Sequence, residues 1–308
     1  MEMEKLGKGL SALGCLLVAC LLGCGRGDVE VTNTSYEPKI AIEGWLMPHH
    51  KVENIKISRN FRLNAHLRTY DLIPDDLRAK IIEESTGREF PLTFQPAPLF
   101  DDNHFAYEGD DLTIEYGQTY TLDVTGTVDY RKLHAWASTT VPERGFGITG
   151  SNFEELPYRP LDENGDPINF KISIDRSPGT TFYLATVKPL EASSANFVYD
   201  NPFTDLTPKE VDEDIGDFDY HYNWIQNTPV GPGRSTVQTF WFVLWFYTRY
   251  EIVIFAADAN YRSFLQTYDE VQEEDGNFHE PEFAVEGDGI GVFGSVGPDT
   301  IYVEVVRE

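Results

Sequence analysis

Alternation of apolar and polar residues over the first half of the chain predicts a series of short β-strands. Residues 52–58 alternate cleanly, and residues 79–83 and 89–94 flank a Ser-Thr-Gly turn in the manner of a hairpin. About seven such strands, separated by turn signals, fall within one stretch of chain, as is typical of a sandwich. We therefore predict an immunoglobulin-like β-sandwich over residues 37–142.

The second half of the chain alternates less regularly and predicts a second β-rich domain over residues 168–308. Residues 143–167 are rich in Gly, Pro, Asn and Glu and are predicted to form a linker. Strands predicted at 168–174 and 182–188 are expected to pair through the turn between them. Residues 189–234 form a long polar insertion, and insertions of this length are usually functional or mobile.

The most apolar stretch, FWFVLWFY at 240–247, has no polar alternation. A strand of this composition is either buried on both faces or contacts a partner on one, and burial is the favoured interpretation. A further strand is predicted at 250–256, beside it.

One amphipathic helix is predicted at 258–274, with Asp258 as its N-cap. Its apolar residues recur at helical spacing and form one stripe along the helix: Tyr261, Phe264, Leu265, Tyr268 and Val271.

The segment 289–294 matches the dinucleotide-binding pattern G-x-G-x-x-G letter for letter. That site needs a helix that begins within the glycines, and the following Ser-Val-Gly-Pro-Asp favours a turn instead. We therefore expect no nucleotide here. The glycines are interpreted as architectural, allowing a strand to pass close under the helix or to bulge.

Composition indicates a folded, strongly acidic protein. Of its 308 residues, 41% are hydrophobic and 13% aromatic, which suffices for a sizeable core. Lys and Arg total 24 against 51 Asp and Glu, giving a formal charge of −27. Because such a surface repels phosphate backbones, nucleic acid is not an expected partner.

The N-terminus resembles a bacterial lipoprotein signal, predicted to cover residues 1–23. A short basic region precedes an apolar run that ends Leu-Leu-Gly-Cys, and a polar tether at 24–36 follows. Lipidation with acyl chains such as palmitate needs a thiol behind a small residue, and Cys24 meets that need. The run Leu-Val-Ala-Cys makes Cys20 the alternative site, and a plain secretory signal is the alternative process.

Cysteine content agrees with this interpretation. The chain has three cysteines, at 15, 20 and 24. Cleavage before Cys24 leaves no second thiol, so no disulfide, catalytic cysteine or thiolate metal site is expected in the mature chain.

Sequence pieces spread along the chain resemble a bacterial outer-membrane lipoprotein family known as domain of unknown function 4249. The pieces are Ile42-Glu43-Gly44-Trp45, the run 116–122, Ala137 to Pro142, Asn260-Tyr261, Pro281-Glu282 and the glycine segment 289–294. The acidic segment 196–223 fits the family pattern least well. The resemblance implies a lipid-anchored outer-membrane protein associated with TonB-dependent receptors, and it brings no catalytic residue.

Two candidate sites remain in the polar segments. Asp162, Asn164 and Asp166 offer oxygen ligands at alternate positions, as the opening of a calcium loop does, although the glycine and glutamate of an EF-hand are missing. Apart from this weak candidate we expect no metal and no cofactor. In the insertion, Tyr220, Tyr222 and Trp224 are the residue types that anchor interfaces, and they are the candidate binding surface.

These features favour a non-enzymatic binding or accessory module for an outer-membrane receptor. It would lie on the periplasmic or the external face of the membrane. No H-E-x-x-H or G-x-S-x-G motif is present. A carboxylate-based hydrolase of the cell envelope and a structural or adhesion protein are the alternatives.

Overall fold

The structure is a computed structural model and describes residues 36–62, 65–66, 68, 72–97, 103–225, 231–271 and 282–307. The predicted signal peptide, Cys20, Cys24 and the tether up to residue 35 lie outside the described residues. Strands make up 48% of the structure and helices 10%, so the prediction of a mainly β fold is confirmed. Among the described helices, none has the length and apolarity needed to cross a bilayer.

The strands of the described region are β1 (Ile40–Leu46), β2 (Lys56–Arg59), β3 (Asp75–Glu83), β4 (Arg88–Pro91), β5 (Thr93–Gln95), β6 (His104–Ala106), β7 (Thr119–Val128), β8 (Arg131–Thr140), β9 (Gly147–Ser151), β10 (Glu155–Pro157), β11 (Phe170–Asp175), β12 (Phe182–Pro189), β13 (Tyr220–Ile225), β14 (Arg234–Thr239), β15 (Arg249–Ala257), β16 (Glu286–Gly287) and β17 (Gly289–Val306). The helices are α1 (Pro208–Glu213), α2 (Ala259–Val271) and two 3₁₀ turns at Ile215–Phe218 and Trp241–Val243.

The last strand, β17, connects the two halves of the fold. Its first part pairs in parallel with β1, from Ile40 opposite Gly289 to Leu46 opposite Ser295. Its second part, from Val296 onward, pairs antiparallel with β15. The resulting sheet has the order β13-β12-β15-β17-β1-β2. Strands from both predicted domains therefore belong to one sheet, and residues 38–308 form one compact unit.

Two hydrophobic cores lie along this shared sheet. The first is formed by β1, β2 and β17 with the five-stranded sheet β16-β8-β7-β3-β4. The second is formed by β12, β15 and β17 with the three-stranded sheet β14-β11-β9. Phe293 of β17 belongs to the first core, whereas Val303 and Val305 of the same strand belong to the second. The layering in both halves is sandwich-like, with one long strand in common.

Local predictions hold best where sequence neighbours pair. The predicted hairpin is present, since Glu83 pairs with Arg88 and Gly87 adopts a φ of +68° in the turn. The predicted pairing of 168–174 with 182–188 is wrong. β11 pairs with β9 and β14, whereas β12 pairs with β13 and β15. The intervening turn leads from one layer to the other, and it is fixed by Ser177, whose hydroxyl donates to the carbonyl of Glu143 at 2.6 Å.

The predicted linker and insertion are both parts of the folded layers. Within 143–167, β9 joins the three-stranded sheet and β10 pairs with the end of β17. The insertion 189–234 contributes α1 and β13, and its Phe197, Val211 and Phe218 are buried in the second core. These elements could not be recognised in the sequence, because each has only a few buried apolar residues among many polar ones.

Helix α2 begins where the sequence predicts. The Asp258 carboxylate accepts a hydrogen bond from the backbone N–H of Tyr261 at 2.9 Å, which is an N-cap. Its other oxygen accepts from the Thr139 hydroxyl at 2.6 Å, and that hydroxyl lies 2.7 Å from the buried Ser295 hydroxyl. Asn260 donates to the carbonyl oxygens of Ser138 and Phe293. The start of α2 is thus anchored on β8 and β17.

The structure confirms the close passage predicted for the glycine segment. A Cβ atom built on Gly294 would lie 2.9 Å from Asp258 Oδ1 and 3.1 Å from Tyr261 Cβ. The strand continues through all three glycines of the G-x-G-x-x-G segment and no helix begins there. Glycine lets β17 pass directly under the start of α2.

We expect Asp258→Ala to reduce the free energy of unfolding by about 3 kcal/mol, through loss of the N-cap and of the partner of a buried hydroxyl. Asp258→Asn should cost less than about 1 kcal/mol, because its amide can donate to Thr139, whose hydroxyl then donates to Ser295. Urea unfolding of the two variants measures the difference. Equal losses would contradict this account of the network.

The same pair of variants gives a pH test. Burial raises the pKa of Asp258 above its ordinary value of 3.8, although the Thr139 hydrogen bond opposes that rise. The folded state therefore keeps the proton after the unfolded chain has lost it. Relative to Asp258→Asn, the wild type should lose stability as the pH rises from about 3.8 through the raised pKa.

Candidate functional site: an exposed aromatic cluster

The predicted aromatic surface of the insertion lies on β13, the edge strand of the long sheet. Tyr220 pairs with Val187 and is half-buried, with its ring against the second core. Tyr222 and Trp224 are opposite Ala185 and Tyr183 in the register. The side chains of Tyr222 and Trp224 lie outside the described residues, so their role as a binding surface stays a prediction.

The predicted cation loop is a turn closed by its own side chain. The Asp162 carboxylate accepts hydrogen bonds from the backbone N–H groups of Asn164 at 2.8 Å and Asp166 at 2.9 Å. These bonds hold the pKa of Asp162 below its usual range. The Asp162 carboxylate thus closes an Asx turn. In the described residues, no three His, Cys, Asp or Glu side chains are grouped as metal ligands.

A different group of aromatic side chains lies exposed where the insertion meets the apolar stretch 240–247. That stretch is not a strand: it forms a 3₁₀ turn at Trp241–Val243, with Val243 and Leu244 buried beneath it. Phe240 is 41% exposed and Phe203, from the insertion, is 65% exposed. The predicted burial of the whole stretch is therefore wrong, because consecutive residues in a 3₁₀ turn point in different directions rather than to two faces.

Ring contacts connect these exposed residues into one surface, which we call the aromatic cluster: Phe203, Phe240, Trp241 and Phe242. The Phe203 ring lies 5.3 Å from Phe242 and 6.0 Å from Trp241, centroid to centroid. Phe240 stacks on Phe242 at 5.2 Å. Offset and edge-to-face contacts at these separations are the favoured geometries of aromatic pairs.

Hydrogen bonds from the Asn201 side chain fix the two segments that supply the cluster. The buried Asn201 donates from its amide to the Phe242 carbonyl at 3.0 Å and accepts from the Phe203 backbone N–H at 3.0 Å. The Asn201 side chain thereby fixes the position of the two loops relative to each other. The aromatic cluster is therefore preorganised, and association with another molecule would cost it little conformational entropy.

An arginine covers the inner edge of the cluster. The Arg159 guanidinium lies 4.7 Å above the Trp241 ring, a cation–π distance. The neighbouring Tyr158 is nearly buried, with ring edges toward Trp241 and Tyr247. Its hydroxyl has no hydrogen-bond partner among the described residues, and burial raises its pKa. Tyr158 supports Trp241 from beneath at the cost of one buried hydroxyl.

The chain segment that supplies Phe203 is acidic. Between residues 200 and 219 the chain has eight Asp or Glu residues and a single lysine. Most of these residues are exposed, including Asp205 close to Phe203. The short helix α1 in this segment is held by a capping box between Thr207 and Glu210. The segment that supplies Phe203 to the aromatic cluster therefore carries a large negative charge.

The sequence singles out Tyr220, Tyr222 and Trp224 of the insertion, whereas the exposed cluster is made of other rings. Phe203 and Phe240 were not singled out, because isolated phenylalanines in a chain with 20 of them give no signal. The one sequence feature that could have indicated the cluster is the apolar stretch 240–247, for which contact with a partner was the alternative to burial.

Comparison of the chain with protein-family models found no match, and a search among curated proteins also found none. The resemblance to the outer-membrane lipoprotein family accordingly rests on the sequence pieces alone.

Proposed function

We propose that this protein is a lipid-anchored, non-enzymatic protein of the cell envelope that binds another envelope protein through the aromatic cluster. The observation that carries the proposal is the exposed, preorganised group of rings around Phe203 and Phe240. The partner that the family resemblance implies is an outer-membrane receptor of the TonB-dependent type.

The composition of the cluster supports a protein partner. Hot spots of protein interfaces are enriched in aromatic residues and arginine, packed at the centre and surrounded by polar residues that exclude water. Phe203, Phe240 and Trp241 supply the aromatic centre, and the Arg159 guanidinium lies over the Trp241 ring. The exposed Asp205 follows Phe203 by two positions in the chain. Burying two exposed phenylalanines removes a large apolar area from water, which favours association.

The negative charge of the protein limits the classes of partner that could bind the cluster. Anionic lipid is repelled by the acidic residues beside the cluster, so insertion of Phe203 into a membrane is disfavoured. A second copy of the chain is disfavoured for the same reason, since each copy has a formal charge of −27. A protein with basic residues around an apolar depression fits the cluster, and the acidic surroundings should speed its association.

The test is purification of the tagged protein from membranes in mild detergent, with quantification of the proteins that accompany it. We expect a defined partner with the wild type and its loss by roughly tenfold or more in the Phe203→Ala/Phe240→Ala double variant. Both side chains are exposed, so the double variant should remain folded.

A matched control replaces two exposed rings outside the cluster, Phe94 and Tyr130, with alanine. This control should retain the partner. If the wild type is always recovered alone, or if the cluster variant and the control retain a partner equally, the proposal is wrong. An envelope hydrolase or an adhesion protein would then be the better hypothesis.

A further inference from the structure

Tyr130, at the tip of the β7–β8 hairpin, is fully exposed. Val128 pairs with Arg131, so Asp129 and Tyr130 alone form the turn. Both have a positive φ, of +49° and +63°, as in a type I′ turn, where Asn and Gly are the usual residues. A bulky side chain in this conformation is strained, and full exposure means that its ring packs against nothing. The packing of the fold therefore gives no reason for a tyrosine at this position.

The hairpin tip lies at the end of the fold where the chain enters it. The Arg59 guanidinium lies 3.0 Å from the Asp129 carboxylate in the turn. Arg59 is the register partner of Ile40, the first residue of β1, and the next residue, Asn60, donates its backbone N–H to the Lys39 carbonyl at 3.1 Å. The predicted tether 24–36 joins the chain just before these residues. The tether of a lipid-anchored chain therefore leads to the side of the fold that carries the hairpin tip.

The aromatic cluster lies toward the opposite end of β17. This strand begins at Gly289, the register partner of Ile40, and ends at Val306. At about 3.3 Å per residue, its 18 residues span up to roughly 55 Å. The Val306 carbonyl accepts a hydrogen bond from the backbone N–H of Tyr158, whose ring contacts Trp241 of the cluster. An orientation that brings the tether to the bilayer thus directs the hairpin tip toward the lipid and the aromatic cluster away from it.

The hairpin tip is basic, although the chain as a whole is strongly acidic. Arg131 and Lys132 follow the turn directly, are exposed and form no ion pair with a described residue. Within the tip and the adjoining strand ends, four basic residues stand against three acidic ones: Arg59, Arg78, Arg131 and Lys132 against Asp75, Asp76 and Asp129. At physiological ionic strength the Debye length is about 8 Å. A charged surface at the tip therefore senses these residues and not the net charge of −27.

We propose that the tip of the β7–β8 hairpin contacts the anionic bilayer that holds the lipid anchor, with Tyr130 among the headgroups and Arg131 and Lys132 on lipid phosphates. Tyrosine has an apolar ring and a polar hydroxyl and is favoured at this depth of a membrane. Basic side chains are attracted to an anionic lipid surface. The proposal rests on the lipid anchor of the proposed function and adds a second contact to it. Because the anchor remains without this contact, the Phe94→Ala/Tyr130→Ala control should still bind the partner of the aromatic cluster.

The experiment uses the full lipidated chain with the fluorescent residue dansylalanine at position 130, bound to vesicles of phosphatidylcholine and phosphatidylglycerol in equal parts. A nitroxide on the lipid acyl chain, close to the headgroup, quenches dansyl emission on contact. We expect strong quenching at position 130. Little is expected at position 302, because Tyr302 is 46% exposed but lies in the half of β17 remote from the tether. Vesicles of phosphatidylcholine alone, and high salt, should reduce the quenching at position 130.

Charge variants test the role of the two basic residues. Arg131→Glu/Lys132→Glu should lower the ratio of quenched to unquenched emission roughly tenfold or more, since each basic residue near an anionic surface favours contact by about fivefold. The matched control Lys171→Glu/Lys209→Glu changes the net charge equally at two exposed lysines elsewhere in the chain. This control should leave the quenching at position 130 unchanged.

Flotation of the vesicles distinguishes failure of the anchor from failure of the tip contact. A chain that does not float with the vesicles has no lipid anchor, which overturns that part of the proposed function and this proposal with it. For a chain that floats, three results would each overturn this proposal alone: equal quenching at positions 130 and 302, equal quenching at position 130 on both kinds of vesicle, or equal effects of the two charge variants.

Discussion

Replacing Gly291 with alanine should destabilise the fold by roughly 3–5 kcal/mol. Gly291 adopts a φ of +104°, which an alanine reaches only with strain. It also lies opposite Ile42 in the parallel pairing of β17 with β1. A Cβ atom there would lie 2.0 Å from the Ile42 carbonyl oxygen, which is backbone and has little room to move. Alanine must therefore separate the two strands that connect the halves of the fold.

Gly87→Ala is the matched control for this prediction. Gly87 also has a positive φ, of +68°, but a Cβ atom built on it meets no atom within 4 Å. Its replacement should cost about 1 kcal/mol, the conformational part alone. Urea unfolding gives the free energy of unfolding of both variants. The difference between their losses is the cost of the steric conflict at Gly291, apart from the cost of backbone strain. If Gly291→Ala is no more destabilising than Gly87→Ala, β17 does not approach β1 closely enough at Gly291 to exclude a side chain.

Cys24→Ser is expected to abolish membrane anchoring almost completely. A single acylated cysteine that carries several acyl chains is a firm anchor, and a serine hydroxyl cannot replace the thiol that is acylated. Metabolic labelling with radioactive palmitate and fractionation of membranes should show an unlabelled protein released from the membrane fraction.

Cys20→Ser distinguishes the two candidate cysteines. We expect this variant to be labelled and anchored like the wild type. Labelling that is lost in Cys20→Ser and retained in Cys24→Ser would move the lipid to Cys20. Labelling of neither the wild type nor the variants would favour a plain secretory signal and would contradict the anchor.

What could be predicted from the sequence depended on local chemistry. The helix beginning after Asp258 was predicted because an N-cap and an apolar stripe are properties of neighbouring residues. The hairpin of β3 and β4, with Gly87 in its turn, was predicted for the same reason. The glycines of β17 were correctly interpreted as architectural, because Pro298 soon after them is unsuited to the start of a helix. The residues that follow them continue the strand and form no turn.

The parts that could not be predicted depend on contacts distant in sequence. Nothing local indicates that β1 pairs with β17, about 250 residues away, or that β11 and β12 belong to different layers. The aromatic cluster has the same origin, since Asn201 brings Phe203 beside Phe242, 39 positions later in the sequence. Hydrophobic periodicity predicts single helices and strands. It does not predict which of them come into contact in the fold, and a surface such as the aromatic cluster depends on those contacts.

Crosslinking from the aromatic cluster in intact cells tests whether the cluster contacts another envelope protein. A photoreactive benzoyl-phenylalanine at position 240 would report which protein contacts the cluster, and the same residue at position 302 is the control. The proposed function predicts one dominant crosslinked envelope protein from position 240, absent from position 302 and lost when Phe203 is also replaced by alanine. An uncrosslinked protein, or the same products from both positions, would contradict a partner-binding role for the aromatic cluster.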